Sequence, residues 1–349
     1  MRILITGNMG YLGPVVAASI REAFPDAAIT GFDTGFFAPY LLDPALLPER
    51  LLEKQWSGDV RRFPDEPLRG VDAIVHLAGV SNEPMGNAFE RATWEINNHG
   101  AVGTALRAKR LGVRCFVFAS SCSVYGSGDE SPRNEESPLR PLTAYARSKA
   151  AAEEGLREVA GRDFAVTCLR FGTAYGSSPR LRLDLVLNDF VANSVVSRRI
   201  VVLGDGKSWR PVIHVRDVAR AVVWALGREA TTREPFLTLN AGADGSNYRI
   251  LDLACAVQNA LGDVEIDAKG RGAPDARSYR VDFSRFVALA PECQPALDLG
   301  SAIRDLSGDL TRAGFHDPEF RSSRWARLPV LEGLIASRRM TPDLFWSEA

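Results

Sequence analysis

Tyr145 and Lys149 stand four residues apart in Tyr-Ala-Arg-Ser-Lys, at the head of a run whose apolar spacing predicts a helix over 150–160. Side chains so spaced share one helix face. A phenol titrates near pH ~10 and is a poor base at neutral pH. An ammonium one turn away favours the phenolate. A tyrosine so placed can take the proton of a substrate hydroxyl. Upstream, a strand expected over 113–119 ends in the hydroxyl-rich run Ser120-Ser121-Cys122-Ser123-Val124-Tyr125-Gly126, and a polar loop to Pro141 separates the two stretches. A Tyr-x-x-x-Lys spacing alone describes many amphipathic helices. Its meaning depends on the elements around it.

Those elements begin at the first residue. Ile3-Leu4-Ile5 reads as a strand buried on both faces. Gly7, Gly10 and Gly13 follow, and Pro14 opens a helix. Gly7 permits a tight turn, Gly10 lets backbone approach a pyrophosphate, and Gly13 lets helix and strand pack closely. Tyr11 and Leu12 fall in the same turn, where the helix N-terminus offers unpaired N–H groups to phosphate. Asp33 ends a second apolar run about 20 residues on, where a carboxylate that binds the adenosine ribose should stand.

Further along, 34–48 reads as a loop over the adenosine end, and 55–60 as a short strand running into Gly58-Asp59-Val60. Asp59 either accepts from the adenine amino group or is a plain turn residue. Residues 71–77 form another buried strand, followed by Leu77-Ala78-Gly79, small enough at a strand's carboxyl end for a cofactor to lie close. Residues 89–111 are helical by spacing and carry Asn97, which is either a surface residue or binds backbone beneath the cofactor. The sixth strand covers 166–171. The β-α-β-α alternation to this point predicts an α/β fold with a doubly wound parallel sheet. Beyond Gly172 the regularity breaks. A helix is expected over 183–196, a strand over 200–203, extended chain over 209–215, a helix over 218–226 capped by Asp217, and a last sheet strand over 236–240. The expected division is a cofactor domain over 1–171, with 212–243 returning to it, and a smaller substrate-binding domain over 172–211 and 244–349.

The 349 residues are 46% apolar and 24% charged, with net charge −1, which fits a globular protein. That charge gives no reason to expect nucleic acid or an anionic membrane as partner. No apolar run is long enough to span a membrane, and the first one is too short for a signal peptide, so a cytoplasmic protein is expected. The five cysteines are widely spaced without a Cys-x-x-Cys pair. They read as reduced thiols rather than zinc ligands, and no metal is expected.

The glycine spacing G-x-x-G-x-x-G, the serine-rich strand end and the Tyr-x-x-x-Lys resemble the short-chain dehydrogenase/reductase superfamily. Stretches 6–13, 76–79, 120–126, 145–149, 169–176 and 210–217 are closest to its extended branch, the NAD-dependent nucleotide-sugar epimerase/dehydratase family. The resemblance covers 1 to about 282. It implies a Rossmann-type fold, NAD as cofactor, a nucleotide-diphosphate sugar as substrate, and a homodimer formed through two helices per subunit. It implies a catalytic set of Ser121, Tyr145 and Lys149. Ser121 would hold the substrate oxygen, and Lys149 would lower the tyrosine pKa and bind the nicotinamide ribose. On the substrate side it implies Ser81, Thr173, Asn188, Arg210 and Tyr279, with Arg271 and Arg277 competing for a second diphosphate contact. Arg suits that role because its fork donates two parallel hydrogen bonds. The alternative for Arg210 is a structural ion pair.

The departures from the family pattern narrow the activity. The Asp-Glu pair that follows the catalytic residue in 4,6-dehydratases is Cys122-Ser123 here, and the Glu of sugar-acid decarboxylases is Ser123. Both activities lose their acid/base group. The usual aromatic-Phe-Asn after Leu169-Arg170 is Phe171-Gly172-Thr173. Cys122 is either a small buried filler or an acid/base of the kind some ketosugar epimerase-reductases carry one residue away. The expected function is a nucleotide-sugar epimerase, at C4, working through a transient ketosugar. The alternatives are a 4-ketoreductase or dehydrogenase using the same residues, and a non-catalytic NAD-sensing protein. The last is disfavoured because both Tyr145 and Lys149 are kept.

Overall fold

The structure, a computed structural model, describes residues 1–127, 131–228, 234–271, 277–295 and 297–347, with 269–271 as backbone only. The first half alternates as expected: β1 (Arg2–Thr6), α1 (Gly13–Ala23), β2 (Ala28–Asp33), β3 (Lys54–Ser57), β4 (Ala73–His76), α2 (Glu83–Ala88), α3 (Glu90–Trp94), α4 (Ala101–Arg110), β5 (Cys115–Ser121), α5 (Ala144–Val159) and β6 (Ala165–Phe171). The single helix expected over 89–111 is interrupted by a π-helical turn, Glu95–Gly100, of the kind that often marks a functional site. After β7 (Thr173–Tyr175) come α6 (Val186–Ser197), β8 (Arg199–Leu203), β9 (Trp209–His214), α7 (Val215–Leu226) and β10 (Phe236–Ala241). The helix expected over 218–226 therefore starts earlier. His214 Nδ1, not Asp217, accepts at its N-cap, from Arg216 N at 3.3 Å, and Asp217 lies inside the first turn. The chain ends with β11 (Asn247–Arg249), α8 (Ile250–Leu261), β12 (Glu265–Arg271), α9 (Ser284–Leu289), α10 (Leu299–Arg312) and α11 (Arg327–Ala336).

Seven strands form one parallel sheet in the order β10-β6-β5-β4-β1-β2-β3. Side chains alternate between its faces. Leu4, Ile74, Phe116 and Val166 pack on one face against α4 and α5. Ile3, Ile5, Val75 and Leu169 pack on the other against α1 and α7. A third core gathers α6, β8, α8 and α10 around Phe190, Val202, Val257 and Leu306. Two small sheets, β11-β9-β7 and β12-β8, frame it. Part of the stretch expected to join that second body packs elsewhere. Val330, Leu331, Leu334, Met340 and Leu344 belong to the first core, beside Phe32, Val60 and Phe63. Among the described residues no helix is long and apolar enough to cross a membrane.

Candidate active site

Strand order reverses beside β1, and in open parallel sheets ligands bind at that point, outside the carboxyl ends of the strands. A cavity of about 270 Å³ opens there. Gly7 sits at φ +72, and a Cβ on it would meet the Leu77 carbonyl carbon at 2.7 Å. Only glycine fits this turn. Gly10, Tyr11 and Leu12 line the cavity. Gly13 does not reach it; a Cβ there would strike the backbone of Asn8, so Gly13 serves strand–helix packing. No side chain caps α1, which leaves its first N–H groups for an anion.

Asp33 lines the same end. Its Oδ2 accepts from Met9 N at 2.9 Å and its Oδ1 from Gly35 N at 2.8 Å, which ties the glycine turn to the end of β2. Burial pushes its carboxyl pKa up, opposed by those two amides. Asp59 and Val60 also line the wall, but the Asp59 carboxylate is paired with Arg61 at 2.6 Å. Leu77, Ala78 and Gly79 form the floor. Asn97 lies beneath them rather than on the wall. It accepts from Val80 N at 2.8 Å and donates to Val80 O at 2.9 Å and Ser148 Oγ at 3.0 Å. Of the two readings of Asn97, the structure has the backbone brace and not the surface residue. An uncapped helix start, a carboxylate at the end of β2 and a floor of small residues fit a dinucleotide.

Ser121, Tyr145 and Lys149 meet at the other end of the cavity. The Thr143 Oγ1 cap, accepting from Ala146 N at 3.1 Å, starts α5 so that Tyr145 falls in its first turn. Ser121 Oγ accepts from Ser123 N at 3.2 Å and stands beside the Tyr145 side chain, whose pKa it lowers. Burial nevertheless pushes the phenol up to about 12, with Ser121 and Arg182 lowering it and Glu83 raising it. The expected depression by Lys149 is not met. The Lys149 ammonium instead donates to Ala119 O at 2.8 Å and lies 4.5 Å from the Phe118 ring centroid. Burial brings its pKa down to about 8, with Glu153 opposing. Glu153, one turn on, accepts from Ser120 Oγ at 2.5 Å and pairs with Arg170 at 2.6 Å. This buried pair joins the end of β5 to α5. Cys122 faces away from the cavity, its Sγ donating to Arg170 O at 3.3 Å, and burial pushes its thiol pKa well up. That is the filler reading. Among the described residues the Ser123 hydroxyl has no hydrogen-bond partner, and the residue lies on the wall.

Thr173, Arg210, Arg277 and Tyr279 line the wall beyond Tyr145. Arg210 Nη1 donates to Trp209 O at 2.8 Å and to Arg277 O, so the residue also holds the 277–281 segment in place. Arg277 pairs with Glu83 at 2.7 Å. Ser81 lines the cavity and accepts from Arg182 Nη1 at 2.7 Å. Asn188 is not on the wall. Its amide donates to Tyr11 Oη at 3.0 Å and Arg182 O at 2.8 Å and accepts from Gly176 N at 3.0 Å. The sugar contact expected of Asn188 is therefore not available, because internal bonds satisfy the side chain. The Arg271 side chain and Asp275 lie outside the described residues.

The structure adds wall residues that sequence reasoning missed, chiefly Glu83, Arg182 and Arg327. Arg182 is held by Asp184 through two contacts of 2.9 and 3.0 Å. Arg-x-Asp in an irregular stretch was the only local signal for it, and Arg327 lies far beyond any motif.

Residues 3–242 match the NAD dependent epimerase/dehydratase family. A dTDP-glucose 4,6-dehydratase of Streptomyces griseus is 27% identical over 308 residues, covering 86% of this chain and 91% of that protein. A UDP-glucose 4-epimerase of Corynebacterium glutamicum is 29% identical over 293 residues, covering 78% and 85%. Among solved structures, a UDP-glucose-4-epimerase from Stenotrophomonas maltophila with bound NAD and formylated UDP-arabinopyranose superposes with a TM-score of 0.75 at 24% identity, covering 90% of this chain and 99% of that one. The chain belongs to the NAD-dependent epimerase/dehydratase family and is an NAD-dependent enzyme of the extended short-chain dehydrogenase/reductase type.

Proposed function

We propose that this enzyme epimerises a nucleotide-diphosphate sugar, at C4, through a transient ketosugar. The observation that carries this is the pairing of every carboxylate on the described cavity wall. Asp33 is held by two backbone amides at the far end, Asp59 by Arg61 and Glu83 by Arg277. Cys122 and Ser123 stand where a dehydratase would carry its Asp-Glu pair, and Cys122 faces away. Proton transfer at a hydroxyl is provided for, and no unpaired carboxylate is offered for elimination from carbon.

Ser121 holds the reacting hydroxyl and Tyr145 takes its proton. With a pKa of about 12 the phenol carries its own proton at neutral pH, and positive charge must gather beside it before it can act as base. Lys149, at about 8, remains mostly an ammonium at pH 7 and contributes one such charge. NAD, when bound, supplies the hydride acceptor and a second positive charge at the nicotinamide end. Tyr145 returns the proton when the ketosugar is reduced on its other face. Arg210 and Arg277 would hold the diphosphate by charge-assisted hydrogen bonds while the sugar turns. A homodimer belongs to the same proposal; Trp94 on α3 and Leu106 on α4 carry exposed apolar side chains.

The test uses UDP-, dTDP-, GDP- and CDP-sugars carrying deuterium at C4. Epimerisation should retain the label, take up no solvent deuterium and accumulate no NADH. Tyr145→Phe should slow it by on the order of a hundredfold or more with the fold intact. Steady NADH formation favours the dehydrogenase, stoichiometric NADH consumption favours the ketoreductase, and an unchanged rate in Tyr145→Phe ends the catalytic assignment.

A further inference from the structure

Arg327 is 1% exposed, yet it lines the cavity, and its Nη1 has no hydrogen-bond partner among the described residues. The rest of the side chain is fixed. Nη2 donates to Arg180 O at 3.0 Å, and the guanidinium lies 4.3 Å from the Phe37 ring centroid. Its backbone N donates to Asp184 Oδ2 at 3.2 Å, which pins the start of α11 to the irregular stretch after β7. The nearby carboxylates are already engaged: Asp184 with Arg182, and Glu49 with Arg180 at 2.8 Å. Burial and these two arginines push the Arg327 pKa down to about 9, the mark of a cation short of an anion. Arg327 also senses the charge of Asp33, which places it near the adenosine half of the cleft.

The segment that carries Arg327 is anchored across the same half. Leu331 and Leu344 line the cavity. Arg61 donates to Asp343 O at 2.6 Å and Leu344 O at 2.8 Å, and Trp346 Nε1 donates to Thr34 O at 2.7 Å. Residues 327–346 thus cross from the start of α11 to the loop after β2. These contacts run over the adenosine end.

We propose that Arg327 is a cofactor-binding residue supplied by the C-terminal segment, its unpartnered Nη1 donating to a pyrophosphate oxygen of the dinucleotide. This rests on the dinucleotide lying in the cleft with its adenosine at Asp33. A buried guanidinium, packed over an aromatic ring with an unpartnered Nη1, is a preorganised phosphate donor. The first-turn amides of α1 supply the opposite side of the same anion site. The phosphate is thereby gripped between the N-terminal glycine turn and a segment more than 300 residues further on.

The experiment is calorimetric titration of the full-length protein, cleared of cofactor, with ADP-ribose, 5′-AMP, 2′-AMP and adenosine. Arg327→Met should weaken ADP-ribose and 5′-AMP by roughly tenfold to a hundredfold and leave adenosine within about twofold. Arg327→Lys, which keeps the charge and loses the fork, should fall between. If Met at this position prevents folding, the Lys variant carries the same comparison. Parallel losses for adenosine and the phosphates would make Arg327 a packing residue and overturn the proposal, as would no loss at all. Loss confined to 2′-AMP would overturn the pyrophosphate assignment. If the unmutated protein binds ADP-ribose no better than buffer, the placement of the cofactor fails, and the proposal with it.

Discussion

Replacing Asp33 by asparagine removes one negative charge from the adenosine end while keeping the side chain's shape. In the native chain both carboxylate oxygens accept backbone N–H groups, from Met9 at 2.9 Å and Gly35 at 2.8 Å. An amide has one acceptor oxygen, so one of the two N–H groups loses its partner. Leaving such a group unsatisfied costs about 1–3 kcal/mol. The ribose hydroxyls also exchange a charged acceptor for a neutral one, at a loss of about 1 kcal/mol. The turn cost falls on the protein with or without cofactor, so the ribose exchange alone sets the loss of NAD affinity, about fivefold, since each factor of ten is about 1.4 kcal/mol. For NADP, the repulsion of its 2′-phosphate by Asp33 is relieved. Two unit charges about 4 Å apart at an effective dielectric near 20 repel by about 4 kcal/mol. The unmutated enzyme should therefore prefer NAD by at least about tenfold, and Asp33→Asn should shrink or reverse that ratio. Because burial raises the Asp33 pKa, the preference should also narrow on acidification, at a higher pH than an ordinary carboxylate would require. Calorimetry with both cofactors reads the ratio, and thermal melting without cofactor checks that the turn survives. Equal binding of NAD and NADP by the unmutated protein, or an unchanged ratio in the variant, refutes the assignment.

Arg210→Ala should weaken nucleotide-sugar binding by on the order of 2 kcal/mol or more and leave NAD binding nearly unchanged. Loss of both together would show that its bonds to the Trp209 and Arg277 carbonyls are its whole role, and the ion-pair alternative would become a purely structural one. Acid stability is the other readout. Burial lowers the His76 pKa from 6.5 to about 3 and that of His214 to about 4. Between those values and 6.5 the unfolded chain binds protons that the folded chain refuses, so stability is lost as pH falls from 6.5 towards 3. For His76 the full effect is roughly 5 kcal/mol. Urea titrations across that range should show the slope, and His76→Gln should flatten it; an unchanged slope in the variant refutes the assignment to His76.

What the sequence made legible was local. The glycine turn, Asp33, the Ser121 strand end and the Tyr145–Lys149 face are each set within a few residues, and periodicity decides which way they point. One misreading shows the limit. Asn188 is a polar residue at a plausible distance from a ligand, and its amide is satisfied by Gly176 N, Tyr11 and the Arg182 carbonyl, which no local pattern announces. Arg182 and Arg327 were invisible for the complementary reason. Arg182 has its local partner Asp184, but its reach to Ser81 spans 101 residues and that of Arg327 to the Arg180 carbonyl spans 147, so only the fold assembles the wall they share. The tyrosine's raised pKa belongs here too, since charge spacing was legible and desolvation was not.

The catalytic end depends on a buried polar chain that sequence reasoning did not weigh. Arg170 lies on β6 between Glu153 on α5 and Tyr125, whose hydroxyl it meets at 2.9 Å and which in turn donates to Asn240 on β10 at 2.7 Å. Ser120, the neighbour of Ser121, closes the chain onto Glu153. Such a buried pair is weak evidence for stability, because removing both charges from water offsets most of their attraction. Its value lies in position and in field. Four elements of the sheet and its helix face are fixed relative to one another, which holds Ser121 and Tyr145 on the same cavity wall. Glu153 also supports the charge of Lys149 against burial. Without that carboxylate the lysine's pKa would fall further. On the proposed mechanism, the positive charge that Tyr145 needs is thus supported from one turn further along the same helix.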